Sequence, residues 1–145
     1  MSANADNPSS AWMLIFLSWI IALVSTLGSL FFSEVMGLVP CVLCWYQRIL
    51  IFPLSLILLL GLFPLDKSII KYSLPFAVLG LLFTVYHLFL FYGFIPEDLK
   101  PCTQGIPCDD DSMILFDILP IPWLSLLAFG GITALLISAR SRMKP

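Results

Sequence analysis

The chain has 145 residues, 60% of them hydrophobic and 11% charged, with a formal net charge of −2. A mean hydropathy of +1.03 is far more apolar than a soluble domain of this size needs, and it is that of a membrane-embedded bundle surrounded by lipid. No basic face is present to bind nucleic acid.

Residues 1–10 are polar, with Pro8 and a Ser9-Ser10 pair before the first apolar residue, and read as a disordered tail ending in a helix cap. Residues 11–32 carry no charge and are long enough to cross a hydrocarbon core of about 30 Å at ~1.5 Å per residue. A signal peptide is the competing reading, but the basic n-region is missing and the run is too long for an h-region. A short turn with Glu34 and Gly37 leads to a second helix at about 44–63, with Arg48 its only charge and Pro53 a candidate kink. A polar hairpin with Asp66, Lys67 and Lys71 precedes the third helix at about 72–95, which carries His87. Residues 96–117 form the one sizeable polar stretch, with Cys102, Cys108 and three consecutive aspartates. Acids followed by Met113 to Ile118 suggest a short surface helix over 109–119, with a solvated acidic run as the plainer alternative. The fourth helix covers about 118–139, with Pro120 and Pro122 in its opening turn. The expected fold is a single all-α membrane domain over 1–145, a bundle of four transmembrane helices.

Basic residues set the expected orientation. Lys67 and Lys71 lie in the middle loop, and Arg140, Arg142 and Lys144 follow the last helix. Four spans put both regions on one side, which the positive-inside rule makes cytoplasmic, together with both termini. All four cysteines then lie on the extracytoplasmic side of the cell membrane or at its boundary.

The chemistry centres on Pro40-Cys41-Val42-Leu43-Cys44-Trp45-Tyr46-Gln47-Arg48. A two-residue gap holds two thiols close enough for a reactive disulfide, and a helix N-terminus stabilises a thiolate there. Arg48 is four residues after Cys44, on the same helical face. A charge inside a membrane helix costs an estimated ~2.5–3.5 kcal/mol at the centre and marks function by default, with snorkelling as the plain alternative. Its place below Cys44 suits stabilisation of a thiolate or an anionic reduced ligand. Cys102 and Cys108 supply a second pair on the same side, and thiolates exchange with disulfides by direct displacement. Redox exchange is favoured over two structural staples and over a closed zinc site of four cysteines; no resident metal is expected. His87 is placed about two turns below the same surface as Arg48, so the two are candidates to line one pocket, walled by Trp45, Tyr46 and Tyr86. The plain alternative is an interfacial histidine bonded to a carbonyl, among belt aromatics. No haem or dinucleotide signature is present, which leaves a lipid-soluble quinone as the electron acceptor by exclusion.

The Cys-Val-Leu-Cys-Trp-Tyr-Gln-Arg motif, the four spans and the second pair within Pro101–Cys108 resemble the DsbB family of disulfide-bond-formation proteins, most closely its shorter BdbC-type branch. The resemblance covers residues 11–140. It implies a membrane oxidoreductase that reoxidises a DsbA/BdbD-like thioredoxin-fold thiol oxidase and passes electrons to quinone (menaquinone or ubiquinone). It further implies that the partner attacks Cys102, that Cys108 exchanges with Cys41, and that Cys44 faces the quinone. Arg48 would stabilise the charged species, and His87 matches a histidine near the family's quinone pocket by position. Only five residues separate Cys102 from Cys108, fewer than in the longest-studied branch. Two rivals remain: a vitamin-K-epoxide-reductase-like enzyme, whose motif usually lies on a late helix, and a non-enzymatic membrane adaptor with two structural disulfides.

Overall fold

A computed structural model of the protein describes residues 8–101, 114, 115 and 118–143. Four helices dominate it: α1 Pro8–Leu30, α2 Val42–Leu62, α3 Ser68–Phe91 and α4 Ile121–Arg142. Each is long and apolar enough to cross a membrane, as the composition led us to expect. The helices form a ring in which α1 and α3 each pack against both α2 and α4. Short connections make α1, α2 and α3 successively antiparallel, so the start of α2 meets the ends of α1 and α3.

Local chemistry sets the helix ends and shifts several from their expected positions. Proline has a fixed φ and no N–H to satisfy, so α1 starts at Pro8, and Ser9 and Ser10 lie inside its first turn rather than capping it. At its far end α1 passes into a π-helical segment, Phe31–Val35, closed by Met36 N–H donating to the Phe31 carbonyl at 3.2 Å. Gly37, at φ +68°, then turns the chain in a conformation that side chains with a Cβ disfavour. α3 begins at Ser68, earlier than the expected Tyr72, because Asp66 Oδ1 accepts the Ser68 N–H at 2.8 Å. It stops at Phe91, short of Ile95. Gly93 has φ +73°, and Phe94 N–H donates to Phe89 O while Gly93 N–H donates to Leu90 O, both at 3.0 Å, the bond pair of a Schellman stop. α4 starts at Ile121, after Pro120 in an extended cap conformation.

The expected surface helix over 109–119 is corrected in its described part. Ile114 and Leu115 pair antiparallel with Pro120 and Leu119, as two short strands, β1 Ile114–Leu115 and β2 Leu119–Pro120. Pro120 biases the residue before it towards extended backbone, which suits a strand and opposes a helix. The remainder of that stretch, with Cys102 and Cys108, lies outside the described residues.

Two separate apolar clusters fill the ring. The larger runs through all four helices and includes Ile15, Leu54, Leu58, Ile70, Ile132 and Leu136. Its close approach depends on small residues: a Cβ on Gly80 would collide with the Phe129 ring. The smaller cluster sits at the start of α2 and consists of Cys41, Leu43 and Leu90, packed by Phe83, Tyr86 and Ile121 among others.

Candidate functional site

The site is built on the first two turns of α2. Cys41 is the N-cap, with extended backbone (φ −70°, ψ 171°), and its sulfur accepts the Cys44 N–H at 3.3 Å. This position is normally held by Ser, Thr, Asp or Asn, whose oxygen satisfies an orphan helix N–H. Here sulfur takes that part, which explains why α2 begins at Val42 rather than near Cys44. The two Sγ atoms lie 2.9 Å apart, both free, well beyond the ~2.05 Å of a disulfide bond. Hydrogen bonding from the Cys44 thiol lowers the Cys41 pKa against the opposing effect of burial, helped by His87 and the Cys44 N–H, to about 5. Cys41 is therefore the thiolate of the pair at neutral pH.

His87 is fully buried and faces Cys41, with Nε2 3.8 Å from the sulfur. Its other ring nitrogen lies 3.4 Å from Gln47 Nε2. Sequence reasoning gave Gln47 no role. It stands six residues after Cys41, on the buried side of α2, and a buried amide one turn below a cysteine is a signal available in the sequence.

Arg48 takes another direction. Its guanidinium donates to the carbonyl of Ser29 at 2.6 Å and its Cζ lies 5.4 Å from the centre of the Trp45 ring. Ser29 precedes the π segment, where the carbonyl–amide register shifts by one residue, a common feature of functional sites. The arginine therefore bonds across to α1, which offsets the cost of placing its charge in a span.

Cys41, Cys44, Gln47 and Arg48 border a cavity of about 170 Å³ between α1, α2 and α4. Small residues leave this space open: Ser25, Gly28 and Ser29 on α1, and Ser125 and Ala128 on α4. A Cβ on Gly28 would meet nothing within 4 Å. Phe32, Ile51, Leu124 and Phe129 complete apolar walls.

The expected single pocket shared by Arg48 and His87 is thus divided. Arg48 lines the cavity, whereas His87 lies behind Cys41 and does not. The expected aromatic walls are also elsewhere. Trp45 and Tyr46 are about half exposed, Tyr46 stacks on Phe83 at 5.5 Å, and Tyr86 donates to the Leu99 carbonyl at 3.0 Å. Helical phase accounts for Tyr46, which is two residues after Cys44 and so turned away from the face that Cys44 shares with Arg48; Trp45, three residues before Arg48, meets its guanidinium from the exposed side instead.

A dithiol at the end of a membrane-spanning bundle, with its N-cap cysteine buried and acidified, defines a class of integral-membrane thiol–disulfide proteins. Comparison with known proteins narrows it. The family model described as disulfide bond formation protein DsbB matches residues 8–139, and the chain belongs to that family. It is 43% identical over 143 residues to a probable disulfide formation protein of Metapseudomonas resinovorans, covering 98% of this chain and 99% of the relative. It is 42% identical over 119 residues to disulfide bond formation protein C of Bacillus subtilis (strain 168), covering 81% and 85%. A probable disulfide formation protein of Deinococcus radiodurans is 39% identical over 138 residues, covering 89% and 90%. No solved structure matches the chain.

Proposed function

We propose that this membrane disulfide oxidoreductase reoxidises a DsbA/BdbD-like thioredoxin-fold thiol oxidase and delivers the electrons to a membrane quinone. The observation that carries this reading is the cavity shared by Cys44 and Arg48. An apolar cavity of about 150 Å³ is enough to hold benzene, so a six-membered ring fits the volume. Its wall chemistry also suits a quinone ring, with apolar faces beside a few polar side chains and one cation. When bound, a menaquinone or ubiquinone accepts two electrons and two protons.

The protein's own groups would act as follows. The partner's thiolate attacks Cys102 and displaces Cys108; the partner's second thiol resolves the mixed disulfide and leaves oxidised. Cys108 thiolate then attacks Cys41 and displaces Cys44. Cys102 resolves that bond, so two electrons end on the Cys41/Cys44 pair. The helix N-terminus and His87 hold Cys41 as thiolate, and the imidazole is placed to take a proton from the dithiol. Arg48 directs positive charge at the cavity. A DsbA-like partner sits at about −120 mV, far above the roughly −300 mV of relaxed structural disulfides, so a coupled acceptor is needed to draw electrons onward. With Lys67, Lys71, Arg140 and Arg142 cytoplasmic, the cysteines lie on the extracytoplasmic side of the cell membrane.

The test is quinone absorbance during turnover with a reduced thioredoxin-fold partner. Quinone reduction is expected to disappear in Cys44→Ser, while the mixed disulfide between Cys102 and the partner can still be trapped. Gly28→Leu fills the cavity without a backbone clash and should raise the KM for quinone several-fold. Full turnover in Cys44→Ser would refute the assigned roles.

A further inference from the structure

Cys41 Sγ, Cys44 Sγ and His87 Nε2 lie within 4.8 Å of one another, two soft sulfur donors and an imidazole converging in a buried setting. We propose that the reduced protein binds one soft divalent cation of the Zn²⁺ or Cd²⁺ class through these three side chains, and that the ion holds the dithiol out of its redox cycle. This inference rests on the reading of Cys41 and Cys44 as the redox pair.

Geometry, charge and surroundings each support the site. Bond lengths of ~2.3 Å to sulfur and ~2.0–2.1 Å to nitrogen place tetrahedral ligand atoms roughly 3.6–3.8 Å apart. The Cys41–His87 separation is already 3.8 Å. The sulfurs, at 2.9 Å, must separate by a little under ~1 Å, and Cys44 borders the cavity and has room to turn. Two thiolates and a neutral imidazole cancel a charge of +2, so the complex is neutral in an apolar environment that penalises net charge. A monovalent ion such as Cu⁺ would leave a negative charge there. Gln47 supplies the outer support that ligating histidines need. With its amide turned so that Oε1 accepts from Nδ1–H, the lone pair of Nε2 faces the sulfurs. A fourth position opens to the cavity, so a water completes the tetrahedron and the ion has a way in.

Binding by the Cys41 thiolate, the Cys44 thiol and the imidazole releases the Cys44 thiol proton and moves no electrons. Oxidation to the disulfide removes both thiolates, so metal and disulfide exclude each other. The site is therefore redox-linked, and a bound ion stops turnover at the reduced stage. This differs from a structural site of four cysteines, because Cys102 and Cys108 take no part.

The experiment uses full-length protein carrying Cys102→Ser and Cys108→Ser, reduced, in detergent or nanodiscs. Cd²⁺ is titrated while the thiolate-to-metal absorbance is followed, and Zn²⁺ is titrated against a chromophoric chelator. One ion per chain is expected, none after Cys41 and Cys44 are oxidised, and affinity at least tenfold weaker in His87→Ala, with recovery in His87→Cys. Gln47→Leu gives a second route, with a roughly tenfold loss expected from removing an outer partner of a ligating histidine; helicity measured on each variant separates lost binding from lost fold. Absence of binding to the reduced protein, or equal binding to the disulfide form and to a folded His87→Ala, would overturn the proposal. Neither quinone nor thiol partner is present in the titration, so its failure is distinct from failure of quinone reduction by chelator-treated enzyme.

Discussion

The two apolar clusters of the bundle are served by polar groups in opposite ways. Along the larger cluster, buried hydroxyls bond back to their own helix: Ser18 to Leu14, Ser55 to Phe52, Thr84 to Gly80 and Thr133 to Phe129, at 2.7–2.9 Å. At the start of α2, polar groups bond between helices: buried Cys41 and Gln47 with His87 on α3, and half-buried Arg48 with Ser29 on α1. A hydroxyl that satisfies its own helix adds nothing to how helices are arranged. A cross-helix bond fixes a particular side chain at a particular place, which is what chemistry requires. One region holds the bundle together; the other holds reactive atoms in position.

The largest contrast comes from removing volume in the first region. Leu58 is fully buried in the larger cluster. In lipid a leucine gains little by transfer from its surroundings, so Leu58→Ala loses mainly packing contacts, about 2 kcal/mol of stability. Equilibrium unfolding in mixed micelles should register that loss, while quinone reduction per folded molecule stays within about twofold of the parent. A large fall in specific turnover would mean that the two regions are mechanically coupled.

Arg48→Ala probes the other region and should act the opposite way. One hydrogen bond from a charged group is worth ~1.5–3 kcal/mol, and roughly 1.4 kcal/mol is tenfold in rate. Turnover at limiting quinone is therefore expected to fall about tenfold or more, with the unfolding midpoint little changed. Unaltered kinetics across quinone concentrations would show that the guanidinium serves only to tie α2 to α1.

Sequence made this division half legible. Four spans, the dithiol at the opening of the second and a charge one turn below it are local features, visible in runs of apolar residues and in spacing. Which helix faces which is not local. When lipid-facing and bundle-facing residues are both apolar, helical periodicity no longer marks the inner face, so the separation of His87 from Arg48 could not be read from their similar depths. The cavity was equally hidden, because Ser25, Gly28 and Ser29 form an opening only where Ser125 and Ala128 stand opposite them. The strand pair at Ile114 and Pro120 runs against the local signal, because acids before apolar residues read as a helix start while Pro120 holds its neighbour to extended backbone.

The smallest effect on rate carries information of its own. With its pKa lowered to about 5, Cys41 is thiolate above that pH and becomes protonated as pH falls through it. A lower pKa raises the thiolate fraction at pH 7 but weakens the nucleophile, with a Brønsted slope of about 0.4–0.5. Over a shift of this size the two effects nearly cancel, so alkylation of Cys41 at pH 7 should change by only a few-fold when the Cys44 thiol is removed. The pH profile should change much more. In reduced protein with Cys102→Ser and Cys108→Ser, modification of Cys41 by iodoacetamide, followed by mass spectrometry, should reach half its plateau near pH 5. In the added Cys44→Ala variant the midpoint should move up towards the ordinary thiol range, since the hydrogen bond that does most of the lowering is gone. A midpoint that stays put would place the stabilisation of the thiolate in His87 and the helix N-terminus, and would make the Cys44 thiol a bystander to its neighbour's charge.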